Sequence, residues 1–251
     1  MIDLVWWQLV ALAAVGVVSG FLNILAGGGS LLTLPLLIFL GLPPTVANGT
    51  NRVAIVVQNI FALRSFHRSG VLSWRLALLC SVPAVIGAVI GAQLAVEMDD
   101  SLFKQVLAAV MVLVLLLTTF DPVRRFQGCF SNHPRLRSIL LLVGFFLVGI
   151  YGGFVQAGVG FLILSVVLMV GLDLVQGNVL KVVVVLILNL PALAIFAWNG
   201  QVDWLLGSVL AVGNACGGAI AARLAVLKGH HWLRRVVTLV VLLCAVRLFL
   251  T

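Results

Sequence analysis

Charge is what this sequence has least of. Of 251 residues only 9% are Asp, Glu, Lys or Arg, and seven of them are acidic. A soluble domain carries about 25% charged residues. With 63% hydrophobic residues and a mean hydropathy of +1.27, the composition excludes a water-soluble globule. Carboxylates are missing from the interior of every apolar run; Asp173 sits in a turn between two of them. Cation pumps and proton relays are usually built on a buried acid, so its absence argues against them. The cysteines (Cys80, Cys129, Cys216 and Cys244) are scattered without metal or redox spacing. The histidines (His67, His133, His230 and His231) all fall in basic loops. Neither a metal site nor a cofactor is expected. With no Ser–His pair, paired carboxylates or metal-ligand set in the apolar segments, the chain does not read as an enzyme. The first apolar stretch has no basic residues before it, so a cleaved signal peptide is not expected.

What is present is hydrocarbon. Runs such as 106–117, 138–150 and 236–246 are too uniformly apolar for an amphipathic soluble helix. Lys and Arg number 15 and give a formal net charge of +8. They cluster in short loops between apolar segments. That pattern orients a chain by the positive-inside rule, with membrane lipid rather than nucleic acid as the partner.

The chain also contains itself twice. A shift of 130 positions carries Gly41–Leu42 onto Gly171–Leu172, Asn48 onto Asn178 and Asn59 onto Asn189. The same shift carries Phe66 onto Phe196, Gly70 onto Gly200, Trp74 onto Trp204 and Gly87 onto Gly217. Apolar matches are cheap in so biased a composition, but Asn, Gly and Trp at one register are not. Each half reads as five apolar segments, at 4–26, 30–42, 45–66, 73–96 and 102–120, then at 138–156, 160–172, 175–197, 203–226 and 232–250. The second segment of each half covers roughly 20 Å, short of the ~30 Å hydrocarbon core. Glycine-rich sequence joins it to the first segment, at Gly27–Gly29 and at Gly158 and Gly160. The expected fold is an all-α integral membrane protein of two repeats, 1–120 and 138–251, joined by a linker at 121–137. Each repeat holds a glycine-broken helical hairpin and three spanning helices.

Loop charges set the orientation. The loop near 64–75 carries Arg64, Arg68 and Arg75, whereas its equivalent near 197–204 carries Asp203. The loop near 97–104 carries Glu97, Asp99, Asp100 and Lys104, whereas its equivalent near 223–235 carries Arg223, Lys228, Arg234 and Arg235. Equivalent loops with opposite sign place the two copies upside down, as inverted-topology repeats. The Arg-rich linker is then cytoplasmic, and both termini fall on the other side; Arg247 alone stands against this.

Two cations lie inside apolar segments, Arg52 and Lys181, near one another's repeat position. Insertion scales put a charge at helix centre at about 2.5–3.5 kcal/mol, which makes such a residue a functional candidate. The alternative is that each snorkels to an interface. Helices that begin at Gly28, Gly29 and Ser30, and at Gly158 and Gly160, would aim free N–H groups and positive dipole ends inward. Close packing is the competing account of those glycines, and the full account of Gly87/Gly91 and Gly213/Gly217. Asn48, Thr50, Asn51, Asn59, Gln156, Asn178 and Asn189 complete the candidate substrate-binding set. Asn48 and Asn178 equally suit satisfying backbone freed by the breaks.

Residues 21–54 resemble the signature of the TauE/SafE sulfite-exporter family: a glycine run, a proline in the next short helix, G-L-x-P, then A-x-x-T-N-[KR]. Gly27, Gly28, Gly29, Pro35, Gly41, Ala47, Thr50, Asn51 and Arg52 carry the match. The stretches 153–161, 181–189 and 199–204 resemble that family's second copy, with Val159 where the first half has Gly29. The resemblance implies a multi-pass permease of the bacterial cytoplasmic membrane that moves small organic or inorganic sulfur anions, such as sulfite, sulfonates or sulfoacetate. Its mechanism would be alternating access around a midplane site. An anion channel with the same site is the alternative. A coupling proton or sodium ion, and a homo-oligomeric state, stay open.

Overall fold

The computed structural model describes residues 6–25, 27–67, 74–120, 134–225 and 227. The first half is α1 (Trp6–Leu25), α2 (Ser30–Phe39), α3 (Pro44–His67), α4 (Trp74–Val96) and α5 (Asp100–Phe120). The second half is α6 (Pro134–Phe154), α7 (Val159–Met169), α8 (Leu174–Trp198) and α9 (Trp204–Ala225). Helix order and relative length repeat between the halves, and the expected segments end within a few residues of the observed helices. The last expected segment, 232–250, lies outside the described residues. So do Cys129, Cys244, His133, His230 and His231, most of the linker, and most of the basic loop after α9.

Local sequence sets the helix ends. After α2, Gly41 at φ 98° closes the helix with its N–H on Ile38 O, while Leu42 N–H reaches Leu37 O. Gly171 at φ 86° and Gly200 at φ 69° end α7 and α8 with the same pair of bonds. This is the glycine-closed C-terminus that spares orphan carbonyls. Pro44 then opens α3 at a position where its missing N–H costs nothing. Asp173 caps α8, accepting from Val175 N at 2.7 Å and Gln176 N at 2.8 Å.

Small residues let the halves interlock. On α4, Gly87 and Gly91 lie against the backbone of Phe146 and Ile150, while Gly149 and Gly153 of α6 lie against Ala84 and Ala88. The mirror arrangement joins α9 to α1, with Gly213 and Gly217 against Ala13 and Val17, and Gly16 and Gly20 against Leu210 and Asn214. Each pair takes one helix from each half. Lipid gives helices no hydrophobic reason to associate, so close backbone approach through small-xxx-small stripes holds them together. The close-packing account of Gly87/Gly91 and Gly213/Gly217 is the observed one.

The outer faces are apolar. Leu78, Leu79, Val82, Ile86, Ile90 and Leu94 stand exposed along α4, and Trp6, Trp7, Trp74, Trp198 and Trp204 are exposed near helix ends. Such a surface belongs in lipid, with tryptophans at the interfaces. Among the described residues five helices are long and apolar enough to cross a membrane: α1, α4, α6, α8 and α9. Helix α3 is long enough, but it carries Asn48, Thr50, Asn51, Arg52, Gln58 and Asn59, all buried inside the protein.

The packing predicts the effect of bulk. A Cβ on Gly153 would lie 2.1 Å from Ala88 O, and one on Gly213 2.1 Å from Ala13 O. Gly153→Val and Gly213→Val should each abolish a monodisperse, folded elution profile in detergent. Gly200→Ala meets open space and bears only its left-handed backbone, so thermal unfolding should show a loss of about 1–2 kcal/mol.

Candidate functional site

Helix α1 stops at Leu25 and α6 stops at Phe154, and each break leaves carbonyls without intrahelical partners. In hydrocarbon an unsatisfied carbonyl costs several kcal/mol. The sequence supplies a cation for each, and each cation comes from the opposite half.

Arg52, on α3, is fully buried against the end of α6. Its Nη1 donates to Gly152 O at 3.0 Å, Asn189 Oδ1 at 3.1 Å and Gln156 Oε1 at 3.4 Å; its Nη2 donates to Gly153 O. The guanidinium carbon stands 4.7 Å from the centroid of the Phe196 ring, in cation–π geometry. A flat fork suits two adjacent carbonyls in a way that a point charge does not. Nε of Arg52 is buried and has no partner.

Lys181, on α8, closes the end of α1. Its Nζ donates to Ile24 O at 2.6 Å, Asn23 O at 3.0 Å and Asn178 Oδ1 at 2.6 Å. Those bonds use all three ammonium protons. The two cations are therefore not equivalent: Lys181 is saturated, whereas Arg52 keeps a free donor. Neither snorkels to an interface, since Arg52 is 0% and Lys181 3% exposed.

The breaks themselves meet. Gly27, at φ 86°, and Gly160 approach so closely that a Cβ on either would lie 2.4 Å from the other's Cα. Gly158 turns the second break at φ 74°. Helices α2 and α7 start beside this contact, and their N-cap residues, Gly29 and Gly158, have no side chain with which to cap the first turn. The result is an electrostatic asymmetry: the carbonyl ends of α1 and α6 are bonded by resident cations, and among the described residues no side chain bonds the first amides of α2 and α7. A helix N-terminus favours negative charge.

The remaining candidates divide by location. Asn48 donates to Phe154 O at 2.8 Å and accepts from Gln156 N at 3.4 Å, so it and Gln156 serve the α6 break. Asn51 donates to Ser30 Oγ at 3.1 Å and accepts from Thr33 Oγ1 at 2.7 Å, fixing the first turn of α2. Gly28 abuts the Phe161 ring, and Gly29 abuts Ser19 O and Asn23. Asn59 and Asn189 each donate to a carbonyl one turn back on their own helix, and Asn189 turns its oxygen to Arg52. Thr50 faces elsewhere, accepting from Asp203 N at the start of α9 at 2.9 Å.

Three polar residues at the α1 break were absent from the sequence-derived set: the buried Gln58 and Asn214, and the half-buried Asn23. They carry the same signal as the others, a polar side chain in an apolar helix. Their repeat equivalents are Gly153, Leu188 and Ala84, so matching between halves passes over them.

A bundle of apolar helices, five of them long and apolar enough to cross a membrane, with buried cations on the last carbonyls of α1 and α6, is that of a polytopic membrane protein. Residues 12–248 match the model of the sulfite exporter TauE/SafE family, and the chain belongs to that family. It is 30% identical over 234 residues to a probable membrane transporter protein of Haemophilus influenzae, covering 92% of this chain and 90% of the relative. It is 28% identical over 228 residues to the probable membrane transporter protein YfcA of Escherichia coli K12, covering 90% and 84%. A probable membrane transporter protein of Sinorhizobium sp. is 26% identical over 250 residues, covering 99% and 95%. No solved structure matches the chain.

The capping geometry makes a prediction. Arg52→Lys keeps the charge but cannot span Gly152 O and Gly153 O with a fork, so thermal unfolding in detergent should show a loss of about 1.5–3 kcal/mol. Arg52→Met, which leaves both carbonyls orphaned, should lose more. Equal melting temperatures for wild type and both variants would refute the capping role.

Proposed function

We propose that this chain is a secondary transporter of small sulfur-containing anions, sulfite and sulfonates among them, working by alternating access of two inverted halves. The observation that carries the reading is the asymmetry at the breaks. Resident cations answer the negative helix ends, and two uncapped positive ends start at the Gly27–Gly160 contact. Among the described residues no buried carboxylate opposes an anion there. The family to which the chain belongs supports sulfur oxyanions as the cargo.

The free Nε of Arg52, the N-terminal amides at Gly28, Gly29 and Ser30, and those at Gly158 and Gly160 would serve as donors to the oxyanion. Asn48, Asn51, Gln156, Asn178 and Asn189 hold these groups in place, and Asn59 and Thr50 brace α3. Lys181 contributes charge at short range rather than a free proton. Val166 lies against Gly144 and Val159 against Gly152, which supports reading α6 and α7 as a hairpin that turns at the break. The same reading is extended to α1 and α2. A proton carried on the substrate itself would supply coupling without a buried acid.

Saturable uptake of labelled sulfite or a small sulfonate into proteoliposomes, with counterflow, is the expected result. Flux without saturation or counterflow would favour a channel, and no movement of any sulfur anion would sink the reading. Orientation is tested separately. With the native cysteines replaced, Asn199→Cys should react with an impermeant thiol reagent in intact cells, and Ser65→Cys only after permeabilisation. The opposite pattern would overturn the inverted assignment.

A further inference from the structure

Helices α3 and α8 each carry a cation in their first half and a phenylalanine near their last turn: Arg52 and Phe66 on α3, Lys181 and Phe196 on α8. Of the chain's 14 phenylalanines, Phe66 and Phe196 are the only two that the shift of 130 positions superimposes. Phe21, Phe39, Phe61 and Phe103 fall instead on Tyr151, Met169, Pro191 and Leu233, so the ring is kept at this register and not elsewhere. The two helices lie antiparallel. Near the start of α3, a Cβ on Gly49 would lie 3.0 Å from the Phe196 ring. Near its end, Phe66 shares a buried cluster with Val179 and Val182, from the first half of α8.

Each ring covers the break of its own half, together with the cation that the other half sends to it. Phe196 is fully buried in a cluster with Leu34 of α2 and with Val155 and Ala157, which follow the end of α6. Its ring centroid stands 4.7 Å from the Arg52 guanidinium carbon. Phe66 is fully buried in a cluster with Ile24 and Leu25, the last residues of α1, and with the valines that bracket Lys181. The rings point to opposite faces of the bundle. Phe196 lies between Arg52 and the α8–α9 loop, where Asp203 N donates to Thr50 Oγ1 at 2.9 Å and Gln201 Nε2 to Val96 O at 3.0 Å. Phe66 lies one residue before the far end of α3. Packing alone explains two buried rings; it does not require one of them to stand on a guanidinium, nor a ring at each end of one helix pair.

We propose that Phe196 and Phe66 are the two gates of the transport path, Phe196 closing Arg52 from the face of the α8–α9 loop and Phe66 closing Lys181 from the opposite face. This rests on the alternating-access reading above and names the side chains that move in it. An apolar constriction excludes water, and with it a hydrated ion. Rocking one half against the other separates α3 from α8 at one end while the other end stays shut, because the two ring contacts sit at opposite ends of an antiparallel pair. On the Phe196 side the bonds of Asp203 to Thr50 and of Gln201 to Val96 join the halves and must break first. The Phe196 ring occupies one face of the guanidinium, so its withdrawal frees that face for an anion.

The test places single cysteines in the full chain, with the native cysteines replaced, and applies an impermeant thiol reagent to right-side-out and inside-out membrane vesicles. Asn199→Cys and Ser65→Cys report the two faces. Phe196→Cys should react only from the face that labels Asn199→Cys, and Phe66→Cys only from the face that labels Ser65→Cys. A ring that merely packs would leave its cysteine unreactive from both. In proteoliposomes, the variant Phe66→Ala/Phe196→Ala should lose saturable counterflow of labelled sulfite and gain a non-saturating leak. Phe66→Leu/Phe196→Leu, which keeps apolar bulk at both positions, should retain counterflow. Should the alanine pair fail to elute as folded protein, the sidedness of the single cysteines decides. Cysteines at 196 and 66 that are unreactive from both faces, or reactive from the same face, overturn the gates and leave the transporter standing. Unaltered counterflow in a folded alanine pair does the same. Absence of counterflow in the wild type overturns the alternating-access reading and the gates with it.

Discussion

Two helices that stop inside a bundle leave carbonyl oxygens where water cannot reach them, and the rest of this structure answers that demand. Arg52 answers it for α6 and Lys181 for α1, each through direct bonds to the last carbonyls of a helix in the opposite half. The cost of burying a guanidinium or ammonium falls only when such partners are close and well aimed. Here the broken helix needs the cation as much as the cation needs the helix end. The exchange also locks the halves together. Each break is met by a cation of the other half, which pairs α3 with the α6 end and α8 with the α1 end.

The reciprocal caps work alongside the glycine stripes. The α4–α6 and α1–α9 contacts bring backbones close enough to crowd out any Cβ, and they too join one half to the other. A bundle built this way has close cross-half seams, and Gly27 meets Gly160 just beyond the ends of α1 and α6. Neutralising the carbonyl ends leaves the N-terminal ends of α2 and α7 as the uncompensated poles. Arg52 and Lys181 are bonded to carbonyls of the protein itself, and the unpartnered Nε of Arg52 makes the two cations chemically unlike.

The matched register between the halves extends to helix order and not to the chemistry. Asn48 and Asn178 occupy equivalent positions, yet Asn48 bonds backbone at the α6 break while Asn178 receives Lys181. Arg52 has its strongest partners in two glycine carbonyls, where Lys181 takes two carbonyls and an amide. At the α1 break Asn23 and Asn214 both donate to Gln58, and the equivalents of these three residues in the other half are Gly153, Ala84 and Leu188.

The sequence by itself determined the solvent, nearly every described helix end and the two cations, because each depends on local composition. Scarcity of charge leaves lipid as the only surroundings. Glycine at positive φ ends α2, α7 and α8 wherever it stands, and the repeat register carries Asn, Gly and Trp as fixed marks. Arg52 and Lys181 were legible because a charge in an apolar run has so few explanations. What those side chains touch was not legible, because every partner lies a hundred or more residues away or on a neighbouring turn of unknown facing. Only the tertiary structure put Arg52 on the α6 carbonyls and Lys181 on those of α1, turned Thr50 toward α9, and brought Gln58 to Asn214. The reason is physical: a helix break announces in sequence that some carbonyls will be orphaned, but which distant donor reaches them is decided by packing alone.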